Sequence, residues 1–138
     1  MTDKTLVVTE ESPAFVAVYG TLLSDFHNNY LLQDSPMISD AKSLFWGTMY
    51  SNGGFPILSL DEPASLIKVE LYRVTSQEVM DDLDSLEGFP GWYDRSIRTF
   101  TTMEGEKVKA WIYHQDKALP LPVVESGCWK TFKNGSAV

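Results

Sequence analysis

Short runs of strand-forming residues, spaced too closely to alternate with long helices, constrain this chain's fold more than any other feature. Phe15-Val16-Ala17-Val18-Tyr19 and the segments 44–50, 66–74, 92–100 and 107–114 carry branched, aromatic or alternating apolar residues. Turn-forming residues separate them: Ser51-Asn52-Gly53-Gly54 leads into Phe55-Pro56-Ile57-Leu58, Asp61-Glu62-Pro63 precedes 66–74, and Glu104-Gly105-Glu106 lies in a hairpin link over 101–106. The pattern predicts an α+β domain built on a curved antiparallel or mixed sheet rather than a doubly wound one. One segment is clearly helical. Thr75 followed by Glu78 reads as a capping box opening a helix over 76–87, with Val79, Leu83 and Leu86 on the stripe for burial and Asp81, Asp84 and Ser85 facing away. Gly88 ends this helix and Pro90 prevents its resumption. A second, shorter helix is expected within 25–32. The segment from Leu119-Pro120-Leu121-Pro122 to Gly127-Cys128-Trp129 should drape along the body with Trp129 as an anchor, ahead of disordered last residues.

At 138 residues and 43% hydrophobic composition, the sequence predicts a single domain with its core over about 14–130. Eleven Lys and Arg against nineteen Asp and Glu give a formal charge of -8, and the cations are scattered, so nucleic acid is not an expected partner. No apolar run reaches the roughly 20 residues that cross a bilayer, and no signal-peptide core follows Met1, so a cytoplasmic protein without a membrane partner is expected. Cys128 is the single cysteine, which excludes an intramolecular disulfide and multi-cysteine metal sites; it reads as a buried structural thiol rather than a nucleophile. His27 and His114 form no His-Glu-x-x-His pattern, so no metal site is predicted. The glycines after Asn52 lack the spacing, lysine and hydroxyl of a phosphate loop.

Two local features point to chemistry. Tyr19-Gly20-Thr21-Leu22 ends a short apolar strand in a turn whose backbone N–H groups can face a carboxylate or carbonyl oxygen; the alternative is a strand exit that merely needs a glycine. Glu87 sits at the margin of the helix's apolar stripe and in its last turn, where partial burial and the helix carbonyls both disfavour its charge and raise its pKa toward a general-base range. A boundary carboxylate satisfied by Arg95 or a backbone donor is the competing reading.

With these residues in place, the chain resembles the gamma-glutamyl cyclotransferase-like superfamily, especially its branch of gamma-glutamylamine cyclotransferases and AIG2-like proteins. The resemblance spans about 15–129 and rests on Val18-Tyr19-Gly20-Thr21-Leu22, Gly54-Phe55-Pro56-Ile57-Leu58, Glu70-Leu71-Tyr72-Arg73-Val74, Leu83-Asp84-Ser85-Leu86-Glu87-Gly88 and Tyr93-Asp94-Arg95. It implies a small, mostly antiparallel barrel-like sheet with flanking helices, and closure of a gamma-glutamyl group to 5-oxoproline without a cofactor. Glu87 takes the place of the catalytic acid/base. By the same resemblance, backbone groups of Gly20, Thr21 and Leu22 would hold the glutamyl moiety, with Tyr19 shaping the base of the pocket. Tyr93 and Asn28 line it or serve packing and loop order, and Arg95 meets a carboxylate or a structural ion-pair partner. The chain departs from the family in Leu23-Ser24-Asp25-Phe26, where relatives often place basic residues and glycine, which counts against glutathione-type substrates. It departs again in Val69, in a glycine position, and in Cys128, in an aspartate position. A non-catalytic small-ligand or protein-binding module on the same scaffold is the alternative, and the sequence leaves the oligomeric state open.

Overall fold

A computed structural model describes residues 6–24, 26–61, 64–89, 91–116 and 120–135. Strand β1 (Ala14–Val18) pairs antiparallel with β4 (Ser65–Val74) on one side and parallel with β6 (Lys107–His114) on the other. Strand β2 (Met37–Ser51) pairs antiparallel with β4 along one edge and with β5 (Asp94–Thr102) along the other, while β5 pairs antiparallel with β6. The circuit β2-β4-β1-β6-β5 therefore closes on itself as a small barrel, and β3 (Pro56–Ser59) extends it beside the end of β2. Closure removes strand edges that would otherwise offer unpaired backbone groups. Val16, Ile67, Leu71, Phe100 and Ile112 are fully buried in the core.

The largest difference from the sequence expectation is β2, which runs 15 residues rather than over 44–50. Only its second half advertises itself by a continuous apolar run. The first half alternates buried Ala41 and Ser43 with exposed neighbours, and a register shift between Lys42 and Trp46 bends the strand so that it can serve two partners. Strand β5 begins two residues later than expected, which frees Trp92 from the ladder.

Helix α1 (Gln77–Glu87) forms where predicted, but its cap is Ser76, whose hydroxyl accepts from the Val79 N–H at 3.4 Å, and not Thr75. Met80 and Leu83 are its buried residues, whereas Leu86 is 40% exposed and Asp84 turns inward. The reversal has a physical cause: a buried cation on β5 draws Asp84 to the barrel, and the helix rotates accordingly. Gly88 stops α1 in the left-handed conformation at φ 68°, where a side chain would be strained. The expected helix within 25–32 is only a 3-10 turn at Asn29–Leu32.

Residues 122–127 drape along the barrel as expected: Pro122 and Gly127 carbonyls accept from Ser51 and Lys68 N–H groups, and the Val124 N–H donates to Met49. They lead into an unpredicted helix, α2 (Trp129–Gly135), anchored by Trp129, which is buried and stacked on Phe132 at 5.4 Å. Expectations that fell on Asp25, the Glu62-Pro63 turn, Pro90, Leu119 and 136–138 lie outside the described residues. Among the described residues no helix is long and apolar enough to cross a membrane.

Because β1 and β6 are parallel, their C-terminal ends open at the same end of the barrel as the start of β5. The end of α1 closes over that opening, held by Leu83. Leu83→Ala is expected to lower unfolding free energy by about 2–5 kcal/mol, read as a lower urea midpoint, because a fully buried side chain leaves a cavity beneath the helix.

Candidate active site

A cavity of about 200 Å³ opens at this barrel end. The turn leaving β1 supplies Tyr19, Gly20, Thr21 and Leu22, the 3-10 turn approach supplies His27 and Asn28, and the loop before β3 supplies Gly54, Phe55 and Pro56. Leu86 and Glu87 close it from α1, Trp92 and Tyr93 from the approach to β5, and Tyr113 from β6. Glu87 and the turn after β1, some 65 residues apart in sequence, thus face the same space.

Glu87 is half-buried, and among the described residues its carboxylate has neither a hydrogen bond nor an ion pair. Burial alone pushes its pKa up to about 7, because no donor compensates the loss of water around the charge. The sequence reading gave the right direction, and burial is the cause that accounts for it. Tyr19, Tyr93 and Tyr113 all surround this carboxylate. Burial raises each hydroxyl's pKa, and the charge of Glu87 adds to the effect, so all three stay protonated. The Tyr19 hydroxyl donates to the Tyr113 carbonyl at 2.7 Å, which fixes the ring as the cavity base.

The turn opposite Glu87 is ordered from within. The Leu23 N–H donates to the Gly20 carbonyl at 2.9 Å, the Asn28 N–H to the Thr21 carbonyl at 3.0 Å, and the Asn28 side-chain amide to the Thr21 hydroxyl at 2.8 Å. The N–H groups of Gly20, Thr21 and Leu22 have no acceptor among the described residues. Donors left unpaired at a cavity wall are suited to an incoming oxygen. Gly20 is required sterically, since a β-carbon there would lie 2.7 Å from the Pro56 ring.

The structure brings Tyr19, Gly20, Thr21, Leu22, Asn28, Glu87 and Tyr93 together, but it separates Arg95 from them. The Arg95 side chain, 3% exposed, donates to both Asp84 carboxylate oxygens at 3.0 and 3.3 Å, and its guanidinium lies between the Phe89 and Trp111 rings at 4.1 and 4.6 Å. The substrate contact expected at Arg95 therefore gives way to the ion-pair alternative. Tyr113 also donates to Asp84, at 2.6 Å. Through Asp84, Arg95 ties β5 to α1.

Glu70 is the carboxylate whose role the sequence did not reveal. It accepts from the Ser24 N–H and hydroxyl at 2.7 Å each, from the Tyr72 hydroxyl at 3.0 Å and from Lys130 at 2.8 Å. Burial opposes its charge, but the donors from Lys130, Ser24 and Tyr72 outweigh burial and hold its pKa below the usual carboxylate range. Glu70 lines a second cavity of about 510 Å³ on the barrel's outer face, together with Lys42, Lys68, Lys130 and Cys128. That cavity is larger, yet its buried acid is fully engaged and its other acid, Asp40, is exposed, so the carboxylate with a raised pKa lies in the smaller cavity. Cys128 is half-buried rather than buried and accepts from Thr131 at 3.2 Å. His114 is engaged elsewhere, with Ser96 at 2.8 Å and Asp116 at 2.9 Å, and no hydrogen bond joins it to Cys128 among the described residues. Among the described residues, no cluster of three or more His, Cys, Asp or Glu could hold a metal ion.

Sequence reasoning also missed Phe55, Leu86, Trp92 and Tyr113 as lining residues. Phe55 and Trp92 carried a usable signal, as aromatics in glycine-flanked and proline-flanked loops. Tyr113 carried none, since it alternates like any core residue of a strand.

With this geometry in view, comparison with known proteins is unambiguous at the level of family. The family pattern described as "Gamma-glutamyl cyclotransferase, AIG2-like" matches residues 16–131, and the chain belongs to that family. A Methanocaldococcus jannaschii protein, to which the name gamma-glutamylcyclotransferase is provisionally attached, is 31% identical over 120 residues, covering 86% of this chain and 98% of that one. The crystal structure of YkqA from Bacillus subtilis superposes with a TM-score of 0.73 at 27% identity over 91% of this chain; the chain spans 42% of that protein's length. An AIG2-like protein from Mus musculus shares the fold, with a TM-score of 0.71 and 22% identity over 83% of this chain and 87% of that one. The class of activity that accompanies the family is gamma-glutamyl cyclotransferase-like catalysis.

Two outcomes follow from these contrasting acids. Glu70→Ala is expected to cost about 1–3 kcal/mol in chemical denaturation, because Ser24 and Tyr72 lose their acceptor while half-exposed Lys130 regains water. Glu87 has the opposite sign: its folded pKa lies above the unfolded value, so the folded state binds more protons between about pH 4.5 and 7 and loses stability as pH rises through that window. Glu87→Gln should therefore melt higher than wild type at pH 8, by on the order of 1–2 kcal/mol after screening at the open mouth, and equally at pH 4.

Proposed function

We propose that the chain converts a small gamma-glutamylamine, or another small gamma-glutamyl compound, to 5-oxoproline and a free amine by intramolecular aminolysis. The observation that carries this reading is the placement of Glu87, a carboxylate without a partner among the described residues and with a pKa of about 7, across one cavity from the unpaired N–H groups of Gly20, Thr21 and Leu22.

The alpha-amine of the glutamyl group attacks its own gamma-carbonyl carbon. A carbon–nitrogen bond forms, and the carbonyl electron pair moves to oxygen. Glu87 takes the proton that the attacking nitrogen must lose and returns it to the departing nitrogen, whose bond to carbon breaks as the carbonyl re-forms. Protons and electrons balance over this cycle without a redox partner. The backbone donors of the turn receive the glutamyl carboxylate or the developing oxyanion, an interaction worth most in a cavity shielded from water. Tyr19, Tyr93 and Asn28 hold the chain in its ring-forming shape, which recovers entropy that a free substrate would lose on closure. A carboxylate with an ordinary pKa would be a poorer match to this proton transfer near neutral pH.

The test is 5-oxoproline release, followed by mass spectrometry, from a panel of gamma-glutamylamines and gamma-glutamyl dipeptides. Glu87→Gln should lower turnover at least about 100-fold while keeping the fold. For wild type, kcat/KM corrected for ionisation of the substrate amine should rise with pH through about 7 and then level off, because Glu87 must be ionised to accept the proton. Equal turnover by the variant would remove Glu87 from the mechanism.

A further inference from the structure

The mouth of the Glu87 cavity differs in chemistry from its floor. Trp92 is 52% exposed and Leu86 40% exposed, although both are large and apolar. Trp92 is nevertheless fixed in place. It stacks on Tyr93 with ring centroids 4.7 Å apart at 18° and meets the edge of Phe55 at 6.2 Å and 77°, and the residue's backbone N–H donates to the Gly88 carbonyl at 2.7 Å. Phe55 is fixed in turn by Asn52, whose side-chain oxygen accepts from its N–H at 2.9 Å. An ordered apolar surface facing water at a cavity mouth is one that a ligand can cover without an ordering cost.

The size of the cavity assigns that surface to one part of the substrate. At about 200 Å³ it falls below the usual range for a drug-sized ligand, so the glutamyl group fills it and the remainder of the molecule lies in the mouth. Among the described residues no lysine or arginine lines this cavity, and Glu87 is its single acid. Among the described lining residues a carboxylate on the leaving group would meet no lysine or arginine, only the imidazole of His27, and would approach a chain of formal charge -8. A fixed cation there would be drawn to Glu87 and would favour its ionised form, undoing the effect of burial on the base.

Resting on the proposed gamma-glutamyl reading of this cavity, we infer that the leaving amine is uncharged beyond its reacting nitrogen and apolar, with an aryl or branched alkyl group that packs on Trp92, Phe55 and Leu86. The substrates are then gamma-glutamyl conjugates of hydrophobic amines rather than of amino acids or polyamines.

Three substrates with the same acyl group separate the possibilities: the gamma-glutamyl conjugates of benzylamine, of alanine and of 1,4-diaminobutane, each scored by kcat/KM for 5-oxoproline release. The benzylamine conjugate should be preferred by about tenfold or more over both others. Trp92→Ala should lower kcat/KM for that conjugate about tenfold more than for gamma-glutamyl methylamide, and Leu86→Lys should shift preference toward the alanine conjugate by supplying the missing cation. Comparable rates for the three conjugates, or a preference for a charged one, would overturn this inference and leave the cyclotransferase reading standing. Absence of 5-oxoproline from every substrate would overturn both.

Discussion

The contact on which the site depends is Asp84 held between Arg95 and Tyr113. One carboxylate on α1 receives two hydrogen bonds from a guanidinium on β5 and one from a hydroxyl on β6, at 3.0, 3.3 and 2.6 Å. Arg95 is buried, and its guanidinium is paired with Asp84 and clasped by the faces of Phe89 and Trp111. The exchange fixes the rotation of α1 about its axis. With Asp84 turned to the barrel, Leu86 is left at the mouth, and Glu87, three residues beyond Asp84, comes over the cavity. A cation placed to serve the substrate would have left the helix without that restraint.

The barrel supplies the other half of the site through its connectivity. The parallel pairing of β1 and β6 brings two C-terminal strand ends together, and the turn that leaves β1 must cross that opening. Glu70 fixes the turn from outside through Ser24, while Asn28 and the Leu23 N–H fix it from within. Two carboxylates, Glu70 buried and Glu87 half-buried, thus divide the work by environment. Glu70 is surrounded by donors and is locked as an anion that holds structure, whereas Glu87 is placed among tyrosines whose hydroxyls serve carbonyls or Asp84. It is the lack of solvation at Glu87 that raises its pKa to about 7, the range the proposed proton transfer needs.

Much of this was legible along the chain. The Tyr19-Gly20-Thr21-Leu22 turn, the helix bearing Glu87, its glycine stop and the hairpin of β5 and β6 all follow from local pattern, because strand alternation, helix periodicity and turn chemistry act within a few residues. The first half of β2 was not legible, since its alternation is weak and its existence depends on being paired on both edges. The cap at Ser76 was misplaced by one residue because Thr75 and Ser76 offer the same hydroxyl and only backbone conformation chooses between them. The inward turn of Asp84 was invisible for a deeper reason: a helical wheel assigns an aspartate to solvent unless a buried cation 11 residues away is known to await it.

What the sequence by itself determined is the alphabet of local elements, the family and the two features that define the reaction site, since each is written in contiguous residues. Tertiary structure alone decided that these features share one cavity, that Arg95 pairs with Asp84 of the helix outside the cavity lining, that Glu70 is anchored while Glu87 is not, and that Trp92, Phe55 and Leu86 form an apolar mouth. Each of these depends on desolvation and on partners distant along the chain, and neither quantity exists until the barrel has closed.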